Sequence, residues 1–431
     1  RGKYDQALSC YEFKIKVCRE LNDMKGVAYT TNNIGVIYLR KSRFDQALQC
    51  YETLKALSEE NNDKFGEILA LGNIGLIWYN KGDLDKSEEC FLKEIRICRE
   101  IGDVNRISNA YNNLGNVYWS KDELQKALKY YELDKENCEI RGDKLGLAYA
   151  VGNMGLIHYT REDYQKAIKS FRYWAEKCEE FQDYNGLSNA LTNLSQIYLA
   201  INQIDQAEQV LEKSRQICEK IGDESQLGTT ISDLGNVYYY KGEIDKAIEC
   251  YLFRLKNVQK TGEKISYLNC YENLALFYAF LSNFEEAERY YDLSLAEASD
   301  LNNDKRSFIV ITNYLKFKLE TNRDCDYHFF INQAEEILNR SNDKAMEFEL
   351  SFIKASFLAL NHPDEGVRLL EEMTQNVDYK VLHPSIYYRL WIITQRSDFQ
   401  KKALKLYTEC YRTNPYYQNK VMIDRLQSVV K

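Results

Sequence analysis

The stretch NAYNNLGNVYWSKDELQKALKYY, residues 109 to 131, returns every forty residues along this chain, and no other feature constrains the fold as tightly. Its core spelling, Asn-x-(Leu/Ile/Met)-Gly-x-x-Tyr, reappears as NNIGVIY ending at Tyr38, GNIGLIW at Trp78, GNMGLIH at His158, TNLSQIY at Tyr198, SDLGNVY at Tyr238 and ENLALFY at Tyr278. A fixed period of this length means that one supersecondary unit is repeated. Each unit buries its apolar face only against its neighbours, so the units must stack.

Within a period the apolar residues keep helical spacing twice. Between 64 and 102 they run through Ile68, Leu71, Ile74, Ile77 and Trp78, stop at Asn80-Lys81-Gly82-Asp83, and resume at Leu84, Phe91, Ile95 and Ile97. The pattern predicts an antiparallel helical hairpin. Units end in Gly102-Asp103, Gly142-Asp143, Gly222-Asp223 or Gly262-Glu263, a glycine suited to the left-handed end of one helix and an acid suited to the start of the next. Glycine inside a helix costs about 1 kcal/mol against alanine, yet it recurs at Gly35, Gly75, Gly115, Gly155 and Gly235. Close approach of the second helix at its small column, Ala47, Ser87, Ala127, Ala167, Ala207, Ala247 and Ala287, is expected to recover that cost. The aromatics Tyr51, Phe91, Tyr131, Phe171, Tyr251 and Tyr291 would then fill the space between units.

Composition removes several function classes. With 57 Lys plus Arg against 65 Asp plus Glu, a net charge of -8 and no basic stripe, the sequence argues against a phosphate backbone as partner. No apolar run reaches the length of a membrane span, and the expected location is cytoplasmic. Cys18, Cys98, Cys138, Cys178 and Cys218 share one column, and Cys10, Cys50, Cys90 and Cys250 another. Column neighbours lie a repeat apart and no CxxC pair exists, so these read as small, buried, reduced thiols without metal. Cys325, Asp326 and His328 form the one cluster with metal-ligand chemistry outside the columns. No phosphate-cradling loop, nucleophile elbow or HExxH motif occurs, and neither catalysis nor a cofactor is expected; His158, in the tyrosine column, reads as a core residue.

Leu114-Gly115-x-x-Tyr118 and Ala127-x-x-x-Tyr131 make the chain resemble the tetratricopeptide repeat family. The longer unit resembles the forty-residue variety found in polarity adaptors and in sensor arms of bacterial signalling and defence proteins. The resemblance implies an all-α, right-handed superhelical solenoid of antiparallel helix pairs. It covers residues 1 to 308, with Arg1 in the turn column of Lys41, Lys81 and Lys121, so that the first unit lacks its first helix and more protein is expected before it. At the other end Leu315 replaces the glycine, Ala334 arrives late, and Pro363, Pro384 and Pro415 all fall in this segment. Residues 309 to 431 read as degenerate helical repeats closed by a capping helix near 418 to 430.

In this family the arc of the first helix opposite the glycine lines a concave groove. Here it carries Asn73, Asn113, Asn153 and Asn193, with Asn116 and Asn236 beside them and Tyr79, Trp119, Tyr159 and Tyr239 as aromatics. Amides can bond the peptide groups of an extended ligand, or they can tie neighbouring units together. There is almost no formal charge in the columns beyond Arg40 and Glu272. The expected partner is therefore a protein or peptide segment held by stacking and main-chain hydrogen bonds. Two roles fit: the sensor arm of a larger signalling or defence protein, or a self-contained adaptor.

Overall fold

The computed structural model describes residues 2–41, 43–261, 264–299, 303–341, 343–413 and 417–428. Arg1, the Gly262-Glu263 punctuation and Pro415 lie outside them. Among the described residues there are twenty-two α-helices, one 3-10 segment and no strand. The chain forms two compact units, Arg1–Ala190 and Leu191–Lys431. The first begins α1 (Gly2–Glu20), α2 (Met24–Arg40), α3 (Phe44–Glu60), α4 (Lys64–Asn80) and α5 (Leu84–Ile101). It continues with α6 (Val104–Ser120), α7 (Leu124–Arg141), α8 (Lys144–Thr160), α9 (Tyr164–Glu180) and α10 (Tyr184–Ala200), within which the boundary falls. The second holds α11 (Ile204–Ile221), α12 (Glu224–Lys241), α13 (Ile244–Thr261), α14 (Lys264–Phe280), α15 (Phe284–Ser299), α16 (Asp304–Thr321) and α17 (Tyr327–Ser341). Then follow α18 (Lys344–Asn361), α19 (Pro363–Met373), the 3-10 segment (Val377–Leu382), α20 (His383–Thr394), α21 (Ser397–Thr413) and α22 (Tyr417–Ser428).

Helices pack in sequence order as adjacent pairs, α2 on α3, α4 on α5, α6 on α7 and α8 on α9. The punctuation works as chemistry predicts. Gly102 ends α5 at φ 71°, and Asp103 accepts hydrogen bonds from the Asn105 and Arg106 amides at the start of α6. Asp63 and Asp143 cap α4 and α8 in the same way.

The glycine column meets an aromatic ring as well as the small column its spacing suggests. A Cβ on Gly75 would stand 2.8 Å from the Phe91 ring, and one on Gly115 would overlap the Tyr131 ring. The second-helix aromatic therefore lies against the glycine of its own pair and also reaches the next repeat, as Tyr251 meets Phe277 at 5.5 Å and Tyr291 meets Phe317 at 4.9 Å. The small column borders the same contact, since Ser87 Oγ donates to the Gly75 carbonyl at 2.9 Å. Tyr51, Phe91, Tyr131 and Phe171 are consequently among the largest fully buried side chains.

All twelve cysteines are free, but only one column is wholly inside. Cys18, Cys98, Cys138, Cys178 and Cys218 are buried, whereas Cys50, Cys90 and Cys250 are half-buried and Cys10 is exposed. The second column borders the helix pair, where Cys50 Cβ and Cys250 Cβ stand 3.1 and 3.0 Å from the places a Cβ would take on Gly35 and Gly235. Burial pushes the Cys98 thiol up to about 12, so it is inert. Among the described residues no helix is long and apolar enough to cross a membrane.

Candidate ligand-binding face

The exposed arc of the first helices in the first unit is crossed by amide bridges between neighbouring repeats. Asn73 Nδ2 donates to Asn32 Oδ1, and Asn153 Nδ2 donates to Asn112 Oδ1, each at 3.0 Å and each reaching back forty-one residues. In the second unit Asn313 Nδ2 reaches back the same distance to Glu272 Oε1, at 3.1 Å. The asparagine column is thus first of all a ladder that joins successive first helices. Its rung at Asn113 would end on residue 72, which is glycine and has no side chain to accept it. Asn113 makes no hydrogen bond, and its carboxamide is half-exposed.

The remaining expected site residues divide by what they touch. Asn116 Oδ1 accepts from the Tyr131 hydroxyl at 2.6 Å, and Asn236 Oδ1 from the Tyr251 hydroxyl at 2.7 Å. These two amides serve the fold: they satisfy a buried phenol, and the pairs with Phe91 and Phe171 carry Leu76 and Leu156 at the same place. Tyr239 is only 8% exposed and packs on Phe277 and Phe280, so it is core where an open aromatic was expected. Asn193 is half-buried on α10 in the second unit. Tyr79 bonds Ser120 Oγ at 2.9 Å across to the next repeat, leaving its ring half-exposed, and Tyr159 packs at 6.1 Å from Tyr164. Trp119 is the open one, 39% exposed and with no hydrogen-bond partner. In the first unit the structure therefore places Asn73, Tyr79, Asn113, Trp119, Asn153 and Tyr159 along one series of first helices.

Beneath the missing rung lies a residue that the column analysis passed over. Glu94, on α5, is 6% exposed, and its Oε2 has no hydrogen-bond partner. Both carboxylate oxygens stand 3.2 Å from where a Gly72 Cβ would be. Burial pushes this acid up to about 8, with Arg106 pulling weakly the other way. The next repeat shows the contrast: Asp134 also has its acidity lowered by burial, but it accepts from Ser108 and Cys138 and lies near Arg141. An acid on the buried stripe Phe91-Glu94-Ile95-Cys98 was the legible signal.

The Cys325, Asp326 and His328 side chains turn to separate neighbours. Cys325 packs against apolar neighbours, Asp326 accepts from the Phe329 amide at the start of α17, and His328 stacks on Tyr327 at 4.2 Å. Among the described residues no group of three His, Cys, Asp or Glu side chains is placed to hold a metal ion.

The tetratricopeptide repeat family pattern matches residues 30–65, 66–133, 146–220 and 226–300, together more than half of the chain. The chain belongs to the tetratricopeptide repeat family. No curated protein matches it in sequence. Solved structures of similar fold include a Rap protein complexed with Competence and Sporulation Factor, at 14% identity and a TM-score of 0.53, covering 80% of this chain and 99% of that one. The apo form of RapI shares 15% identity with a TM-score of 0.50 over 63% of this chain and 97% of its own. A signal-transduction ATPase with numerous domains and a tetratricopeptide repeat sensor, from Pyrococcus horikoshii, shares 15% identity with a TM-score of 0.52. That match covers 69% of this chain and 46% of the archaeal one. At such identities the likeness is one of fold.

Proposed function

We propose that this tetratricopeptide stack is a non-catalytic receptor for a peptide or protein segment, bound along the first-helix face of residues 73 to 159. The observation that carries the reading is the pairing of an unpartnered carboxamide, Asn113, with the open indole of Trp119 on one helix, on a face where the other ladder amides are already satisfied. A carboxamide offers donor and acceptor to a ligand's main chain, and an exposed indole offers an anchor of large apolar area. Tyr79 and Tyr159 flank it with half-exposed rings. Of the two roles that fit such a receptor, the sensor arm of a larger signalling or defence protein is favoured. The fold shared with a tetratricopeptide repeat sensor, and with a Rap protein complexed with Competence and Sporulation Factor, supports it. A self-contained adaptor is the alternative.

The test is selection of short peptides on the immobilised protein, followed by calorimetry. Trp119→Ala should weaken the best peptide about thirtyfold, the effect of losing roughly 2 kcal/mol at a hot spot. Asn113→Ala should weaken it about fivefold, and Lys129→Ala, on the outer surface of α7, should leave it unchanged. Binding that survives both face variants and fails in Lys129→Ala would move the site to the second helices.

A further inference from the structure

The interrupted ladder gives the proposed ligand a chemical identity at one point. We infer that the gap over Gly72 receives a cationic group of the bound segment, a lysine or arginine side chain or an amino terminus, held between the Glu94 carboxylate and the Asn113 carboxamide. This rests on the peptide-receptor reading and goes further by naming the ligand's charge and the residue that meets it.

The argument begins with what fills the equivalent places. Where a residue with a side chain stands at this point of the first helix, as Asn32 or Asn112 does, it accepts the rung from the next repeat. Where glycine stands there in the first unit, a second-helix side chain lies beneath it. At Gly152 that side chain is Trp174, whose ring would meet a Cβ at 2.6 Å and fills the space with carbon. At Gly72 it is Glu94, which fills the space with two carboxylate oxygens, and Oε2 is buried there without a donor. Leu54, in the same column, meets the requirement with a fully buried apolar side chain.

A buried carboxyl without a partner weakens the fold. Residues that do so persist most readily where a ligand completes them. The missing partner must be a donor. An ionised carboxylate only accepts, and the carboxamide beside the gap also presents an accepting oxygen, so an ammonium or guanidinium meets both at once and leaves neither charge unpaired. Arg106 is the positive group that acts on Glu94 from α6, and it is engaged with Asp103 at 3.2 Å; Cys90 and Cys98 face the carboxyl from its own helix. None of these neutralises it. The overall net charge of -8 favours approach of a cation as well. With burial holding the acid largely protonated at neutral pH, cation binding must expel a proton.

The probe is an array of synthetic hexapeptides derived from the selected binders. Each position carries lysine, arginine, citrulline or norleucine in turn, and the array is read with wild-type protein and with Glu94→Gln, whose melting is checked to confirm folding. One position should prefer lysine or arginine over citrulline and norleucine at least tenfold on wild type, and that preference should shrink to about twofold or less on Glu94→Gln. Calorimetry of the best cationic peptide at pH 7 in phosphate and in Tris should show release of close to one proton on wild type and none on the variant. Peptides bound with no cation-preferring position, a preference that persists in Glu94→Gln, or binding without proton release would overturn the assignment while leaving the receptor reading intact. Failure of every peptide to bind either protein would bring down both.

Discussion

The repeats of the first unit and the helices after residue 304 reach a buried core by different means. In the first unit each pair is locked by one event: an aromatic ring of the second helix lies on a glycine of the first, so the two backbones approach closely and the spacing repeats. After residue 304 that lock is gone. Leu315, fully buried, occupies the glycine position, and α16 meets α17 over less length than the regular pairs do. A continuous core still forms through Leu315, Ile353, Leu370, Ile386, Leu390 and Leu426, yet α17 stands off from α18 and α19 enough to leave a cavity of about 950 Å³, floored by Phe348, Ala355 and Leu358. The lesson is that apolar patterning suffices to make helices stack. The glycine lock is what makes every pair stack alike.

The largest expected effect tests that contrast directly. Gly115→Leu must displace the Tyr131 ring, and with the close pairing lost it should cost about 3 kcal/mol, at the upper end of overpacking penalties. Ala355→Leu, which projects into the cavity floor, should change stability by less than about 0.5 kcal/mol in either direction. Urea unfolding followed by circular dichroism measures both, and equal losses would mean that the two regions are equally tightly packed.

Much of this was legible before any coordinates. The period, the helix boundaries and the capping Asp residues follow from spacing and turn chemistry, and so do the small and aromatic columns. What those columns touch did not follow, because spacing along a helix gives direction and not partner. Spacing pairs the glycines with the small column but leaves out the ring that also lies against them, and it presents Asn116 and Asn236 as ligand groups although each accepts from a tyrosine hydroxyl. That the amides can tie neighbouring units is open from the sequence, but the partner each one takes, forty-one residues back, appears only once two units are stacked. Beyond residue 304 there was no repeat to align. There Pro363 and Pro384 sit in the first turns of α19 and α20, where proline starts a helix.

A smaller effect separates a polar departure inside the regular region from the packing departure outside it. Burial raises the Glu94 acid from its ordinary 4.5 to about 8, so between those values the folded chain holds one proton more than the unfolded chain. Stability must then fall as pH rises from about 5 to 8 and level off above. Glu94→Gln removes this term. The variant should gain on the order of 2 kcal/mol over wild type at pH 8 and almost nothing at pH 5. Parallel pH profiles for the two proteins would show that the carboxyl finds a partner in solution, and would narrow the contrast between Glu94 and its neighbour Asp134.

The finest distinction concerns hydroxyl groups at the same column. Tyr131 donates to Asn116 at 2.6 Å, Tyr51 is buried with no partner for its hydroxyl, and Tyr407 in the C-terminal region meets Ser385 Oγ at 3.3 Å. Replacing each by phenylalanine removes one oxygen and keeps the ring on its contacts. For Tyr131→Phe the Asn116 oxygen is left wanting, and the loss should be about 1 kcal/mol. For Tyr407→Phe the longer bond predicts about half of that. Tyr51→Phe removes a buried hydroxyl that bonds to nothing, so it should be neutral or stabilising by a few tenths of a kcal/mol. Urea midpoints ranked in that order would establish that the regular region carries tighter polar contacts as well as tighter packing. If Tyr51→Phe were the costliest of the three, its hydroxyl would have a partner, and the match of asparagine to tyrosine along the column would lose its physical basis.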